Sequence, residues 1–434
     1  MDSNGWDVVY ACSGNYINKQ LASSQDEYIQ SFAYEDSAIK MSGSFGIWQI
    51  VPGGSGPILQ FNTPITQGSV TIKSTNETIP LDGAIPLVQM QLSVIKAPPG
   101  EDITHNLVFN CTILGKGNGD TTSGAVTVID PDTSGNLQKE KDGALAAALL
   151  VTGLGNCFLQ NAAQLGFVFA NVLPVPTGQN SDWLTPKAMA YAYQQPSNNT
   201  LGGLAILGLL DSTDMSNLPR YFDSNLLVQK DFGFILSARP FMQNVIMPAL
   251  PAAFGGNALI NDFALNSDNI IVQSQPFSLD DVKVGLINYS PDVTSLSFSI
   301  EDTSMRCFVD TKTDITGLVD AYVTNSVTSN NQSYFDVSTR MLTFLNDPNK
   351  TVTEDKYIPW WESVLGALTL EIMNVVIDAI SLAIENAVGD LVSSKTATAL
   401  GTVAPGLISW NGQDNINITA GGLEDNVYMQ GIID

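Results

Sequence analysis

Two hydrophobic periods alternate along the chain, and their order predicts its elements. At the start Trp6, Val9, Tyr16, Ile17 and Leu21 recur at helical spacing, with Ser3 placed to cap them, which predicts a helix over 4–21. From 45 to about 130 the period becomes two. Val88, Met90, Leu92 and Val94 alternate with Gln89, Gln91 and Ser93, and Leu107, Phe109, Cys111 and Ile113 alternate with Val108, Asn110 and Thr112. Such alternation predicts antiparallel sheet with one dry face and one wet face. A second helix is expected over 144–164 on Leu145, Leu149, Leu150, Leu154, Phe158 and Leu159, weakened by Gly153 and Gly155. Strands follow near 167–175, 183–193, 204–210 and 232–236. A helix over 241–254, interrupted by Pro248 and Pro251, then leads into a strand region over 270–345, where Leu296, Phe298 and Ile300 alternate with serines. The longest helix, 360–392, precedes short closing strands.

Helix, strand meander, longer helix and closing strands thus occur twice, with a joint near residue 237. The repeat is one of element order, without residue-level self-similarity. It predicts an α+β protein of two lobes, 1–237 and 238–434. On the longest helix Glu371, Asp378 and Glu385 recur every seven residues. An acid at the centre of a spanning helix costs roughly 2.5 to 3.5 kcal/mol, so three argue against a transmembrane segment. About 33 residues at 1.5 Å each make a rod of roughly 50 Å. Leu365, Ile372, Val376, Ile380 and Ala383 lie on its dry side, which requires a long apolar cover such as a curved sheet.

Charge narrows the partners. The 434 residues carry 43 acidic and 18 basic side chains, a formal charge of -25, with 14% of residues charged. A folded protein of this balance repels phosphate backbones, so no nucleic-acid partner is expected, and anionic headgroups are disfavoured for the same reason. Asp2 and Asp7 stand where a signal peptide carries cations, and the first cation is Lys19. Synthesis in the cytoplasm without a readable signal is therefore the expectation. Cys12, Cys111, Cys157 and Cys307 are widely spaced, as free thiols in a reducing compartment would be.

Candidate chemistry is sparse. His105 is the only imidazole, no G-x-S-x-G elbow exists, and the residue reads as part of a strand. Asp130, Asp132, Ser134 and Gly135 fall in calcium-loop register, but Lys141 occupies the twelfth position and Glu140 comes one place early, so a solvated turn is expected. Gly153 and Gly155 lack the third glycine of a dinucleotide loop. Asp280 with Asp281, and Glu301 with Asp302, are neighbours that point apart on a strand. Neither catalytic residues nor a metal nor a cofactor is expected. The apolar faces of the long helices remain, either as ordinary core or as a groove for an acyl chain.

Four stretches carry a family resemblance: NGWDVVYACSGNYINKQL at the start, WLTPKAMAYAY from Trp183, FMQNVIMPAL from Phe241 and GGLEDNVYMQG near the end. They resemble the forty-seven-kilodalton proteins of orf-X type botulinum neurotoxin gene clusters, which are similar to the tubular lipid-binding (TULIP) superfamily. The resemblance runs end to end. It implies two TULIP-like lobes, each a long helix wrapped by a strongly curved antiparallel β-sheet, and a non-catalytic accessory protein that binds a lipid or other hydrophobic ligand. It also implies other toxin-cluster proteins as partners, and release with a toxin complex. Trp6, Val9 and Ile17 on the opening helix, and Trp361, Leu365, Ile372, Val376, Ile380 and Ala383 on the long helix, are then the lipid-groove candidates. The rival reading is a protein-interaction component of a toxin complex, with solid-packed lobes and no lipid ligand.

Overall fold

Period-two patterning becomes antiparallel strand nearly throughout. The computed structural model describes residues 1–176, 181–197, 200–357, 366–389, 400–401, 403–413 and 415–434. Among these, the single parallel pairing is the two-residue contact of Ile113–Leu114 with Ala125–Asp130. The architecture is mixed α+β, mostly strand, built on strongly curved antiparallel half-barrel sheets. Bulges at Val128/Asp130, Val168/Ala170, Val293/Ser295 and Ile418/Ala420 supply the bending, because an extra residue on one strand kinks it and increases its twist.

The first helix starts later than its periodicity suggests. Val8–Ser13 is a strand and the helix is Gly14–Ser23. Val8, Val9 and Tyr10 favour extended backbone, and the strand is central in its sheet with both faces buried. It therefore shows no polar alternation, and Trp6 and Val9 match helical spacing by coincidence. The cap is Ser13, whose Oγ accepts from Tyr16 N at 3.1 Å, in place of Ser3. A second correction concerns Gln89 and Gln91, expected on a wet face but buried. Gln89 Nε2 donates to Asp120 O at 3.0 Å and Gln91 Nε2 to Thr122 O at 2.6 Å, so a folded-back loop covers that face and satisfies it.

The second helix is Gly143–Gln160, packed against strands Ala125–Asp130 and Ser31–Glu35. Around the two prolines the third helical region changes winding, from α at Ala238–Phe241 through π and 3-10 turns to α at Leu250–Phe254. The long helix is described over Gly366–Gly389. It lies against strand Tyr322–Asp336, helix Leu250–Phe254 and the hairpin strand Val282–Val284.

The largest sheet of the second half contains Phe263–Leu265, Ile271–Gln273, Asp292–Glu301, Ser304–Asp314, Tyr322–Asp336 and Met341–Phe344 in that order. A six-stranded sheet joins the halves, in the order Ala188–Gln194, Gly203–Leu209, Val8–Ser13, Phe232–Leu236, Asn426–Ile433 and Ile416–Glu424. The closing strands thus return to the first half, and Ile408–Trp410 likewise pairs with Val168–Val172. One contiguous apolar core runs from Val8 to Ile433 through both halves. A smaller cluster covers the opposite face of the shared sheet.

Candidate functional site

On the long helix the heptad of acids does mark the wet edge: Glu371 and Asp378 are exposed and Glu385 is half-buried. Opposite them Ile372, Val376 and Ile380 are fully buried and Ala383 nearly so, all within the main core. Trp361 and Leu365 lie outside the described residues. Beside the described part of this helix a crevice lined by Val327, Ser329, Asn331, Ser381 and Ile384 holds about 10 Å³. A separate crevice beside Phe241, Leu342 and Leu400 also holds about 10 Å³.

The concave sheet under the helix is partly polar. Thr311, Thr313, Asn325, Ser329 and Asn331 are all buried there among Met305, Cys307, Val309, Val323 and Val327. Asn331 Nδ2 reaches Ser329 Oγ at 3.0 Å, whereas Asn325 Nδ2 and Oδ1, Thr313 Oγ1 and Ser381 Oγ have no hydrogen-bond partner among the described residues. Such orphaned groups each cost about 1 to 3 kcal/mol. Alternation alone could not show this seam, since Thr, Asn and Ser at inward positions read as breaks in the pattern.

The opening candidates separate. Ile17 belongs to the main core, while Trp6 and Val9 face the smaller cluster on the other side of the shared sheet. Trp6 Nε1 is held by Pro219 O at 2.8 Å. Within the first half the interior is filled by rings: Trp48 packs on Tyr28, Phe45, Phe109 and Phe158 at centroid distances of 5.4 to 5.9 Å.

The groups weighed for catalysis have structural partners. His105 begins a strand opposite Lys96, its Nδ1 lies 3.2 Å from Thr104 Oγ1, and burial followed by the Lys96 charge lowers its pKa. Asp132 accepts from the backbone amides of Ile85, Ser134 and Leu137, so its oxygens pin a loop. Asp280 accepts from Gly256 N at 2.7 Å, Asp281 from Ser290 Oγ, and Glu301 pairs with Arg306 at 3.0 Å. All four cysteines are free and buried. Burial pushes the Cys111 thiol up to about 12 and raises Cys12, Cys157 and Cys307 as well, which suppresses the reactive thiolate.

A roomier cleft of about 510 Å³ was not foreseen; it opens beside the N-terminus of the first helix, among Gln194, Gly203, Phe222, Leu227 and Lys230. Only the Gly202–Gly203 pair hints at it in the sequence. Its charged groups are engaged, Asp231 by Ser13 Oγ at 2.9 Å and Lys230 with Thr419 Oγ1 at 2.6 Å. Among the described residues one helix, Gly143–Gln160, is long and apolar enough to cross a membrane, and here Leu150, Leu154 and Phe158 bury its inner face in the core.

Comparison with known proteins matches this end-to-end architecture. The family profile OrfX-like, described as Protein OrfX2/OrfX3/P47, matches residues 3–426. Protein P47 of Clostridium botulinum (strain Kyoto / Type A2) is 27% identical over 405 residues, covering 87% of this chain and 92% of the relative. OrfX3 of Paraclostridium bifermentans is 21% identical over 350 residues, covering 71% and 68%. The solved structure of P47 from Clostridium botulinum A2 shares the fold at a TM-score of 0.76 and 24% identity, over 100% of this chain and 98% of that one. P47 of Clostridium botulinum E1 does so at 0.77 and 21%, over 99% and 100%.

Proposed function

The chain belongs to the OrfX-like family of OrfX2, OrfX3 and P47 proteins, and from that premise we propose that it is a non-catalytic accessory protein acting through protein contacts in a toxin-associated assembly. Its homologues include P47 and OrfX3 of Clostridium botulinum and OrfX3 of Paraclostridium bifermentans, which supports a toxin-associated accessory role. The structural engagement of His105, the paired carboxylates and the thiols supports action by binding rather than turnover.

One observation favours a protein scaffold over a lipid carrier: the described apolar face of the long helix is buried in the core, and the crevice beside its Ser381 and Ile384 holds about 10 Å³. Pockets for organic ligands run to about 300 to 1,000 Å³. A second reading, a hydrophobic-ligand carrier, is favoured by the unpaired Thr313 and Asn325 on the sheet and Ser381 on the helix over it, because a lobe that closes over orphaned polar groups opens more cheaply than a dry one. The test is to purify the protein with each product of its neighbouring genes in turn and follow association by size-exclusion chromatography. A stable complex with one of them is expected. Failure to associate with any, together with uptake of a fluorescent fatty acid at one per chain, would transfer the conclusion to the carrier.

A further inference from the structure

The second-half sheet carries an apolar, acid-rimmed end, and we propose that this end is the docking surface for a protein that presents an apolar hollow ringed by lysine and arginine. The proposal rests on the accessory reading above and gives it a location. Strand register defines the end: Asp292 pairs with Lys312, Asp314 with Tyr322, and Tyr322 with Tyr357. The hairpin Val282–Val284 with Ile287–Tyr289 is rooted there, since Leu279 N donates to Pro291 O at 2.9 Å immediately before Asp292. A turn closed by Ile315 N donating to Ala321 O at 2.9 Å joins the strands ending at Asp314 and starting at Tyr322.

Both tips are apolar where turn chemistry favours polar residues. The hairpin turns on Gly285 and Leu286, and Leu286 is 95% exposed; Val319 on the neighbouring turn is 75% exposed. Two-residue hairpin turns ordinarily use Asn, Asp or Gly, whose polar or absent side chains suit water. Gly285 and Gly317 adopt positive φ with nothing within 4 Å of a Cβ, so each turn has an open outer side, while Ile315, Leu318 and Ala321 anchor the second turn on the core. Beneath the hairpin tip Val282, Val284 and Tyr289 are buried, and the long helix supports the first strand. The leucine is therefore held out on an ordered base, which lowers the entropy lost on docking.

Charge selects the occupant. Asp280, Asp281, Asp292, Asp314 and Asp320 are exposed at this end. Of the lysines there, Lys312 is committed to Asp314 at 3.0 Å and to the Tyr322 ring at 4.6 Å, which leaves exposed Lys283 and Lys356 against Asp280, Asp281, Asp292 and Asp320. A second copy of a chain carrying -25, or an anionic bilayer, would be repelled. A basic-rimmed protein would be steered in, with Leu286 and Val319 as anchors.

The test pans a phage-displayed random peptide library on the purified full chain and measures winners against Leu286→Asp, Val319→Asp and the double variant. Circular dichroism and melting temperature check that each variant is folded. The expected winners combine aliphatic or aromatic residues with Lys or Arg, and lose at least tenfold in affinity on Leu286→Asp at unchanged melting temperature. An absence of winners, or winners that bind the double variant as tightly as the parent, would overturn the surface. In the second case, or where a neighbouring gene product binds both proteins equally, the accessory reading would still stand. Flotation of the parent but not of Leu286→Asp with phosphatidylcholine vesicles would equally overturn it, in favour of a bilayer.

Discussion

Single side chains here are placed more by their partners than by their type. His105 illustrates this, since a lone imidazole invites a catalytic reading until its neighbours are known. Partial burial and Lys96 disfavour its protonated form, so in the one-histidine protein the single imidazole Hε1 resonance should titrate below the ordinary value of about 6.5. The unfolded chain then binds the proton more readily. The associated stability is fully present above about 6.5 and is lost as pH falls through the lowered folded value. An NMR midpoint at or above 6.5 would contradict the described surroundings. Thr313 makes the opposite point: it is fully buried with an unpaired hydroxyl. Thr313→Val keeps the shape and removes the orphan, so denaturant unfolding should show a gain of about 1 kcal/mol. A loss would mean that the hydroxyl has a partner in solution. Neither environment was legible in the sequence, because both depend on residues across strands. Leu296 and Phe298, whose alternation registers local burial, were placed correctly from the pattern alone.

Elements were legible where one face is wet. The stripe of Glu371, Asp378 and Glu385 located the water side of the long helix, and the side opposite is indeed buried. Legibility failed at Val8–Ser13, where a strand covered on both faces loses its alternation and its apolar residues mimic a helix. It failed also at Gln89 and Gln91, because nothing local announces a loop that will fold over them. The packing of the long helix yields a direct test. Ala383 is buried beside Ile380 and Ile384, so Ala383→Phe should destabilise by roughly 1 to 3 kcal/mol through overpacking. Unchanged stability in thermal and urea unfolding would instead reveal a groove able to admit the ring.

At the scale of the whole molecule the repeated order of elements carries no signal for the sheet that unites the halves. The strand Phe232–Leu236 is buried throughout and pairs on one side with Val8–Ser13 and on the other with Asn426–Ile433. No short-range signal specifies a pairing across some two hundred residues. A fragment of residues 1–237 would leave that apolar edge bare. Expressed alone it should aggregate or lack near-ultraviolet circular dichroism, and co-expression with 238–434 should restore a soluble pair; a monomeric, cooperatively melting 1–237 would show that the shared sheet is dispensable. The central claim, that the protein works through its surface rather than by carrying a lipid, is tested most directly by its contents. Protein purified under native conditions should be extracted into organic solvent and the extract quantified by mass spectrometry against internal lipid standards. The account predicts no lipid or fatty acid approaching one per chain. A single lipid class recovered at one or more molecules per chain would contradict it.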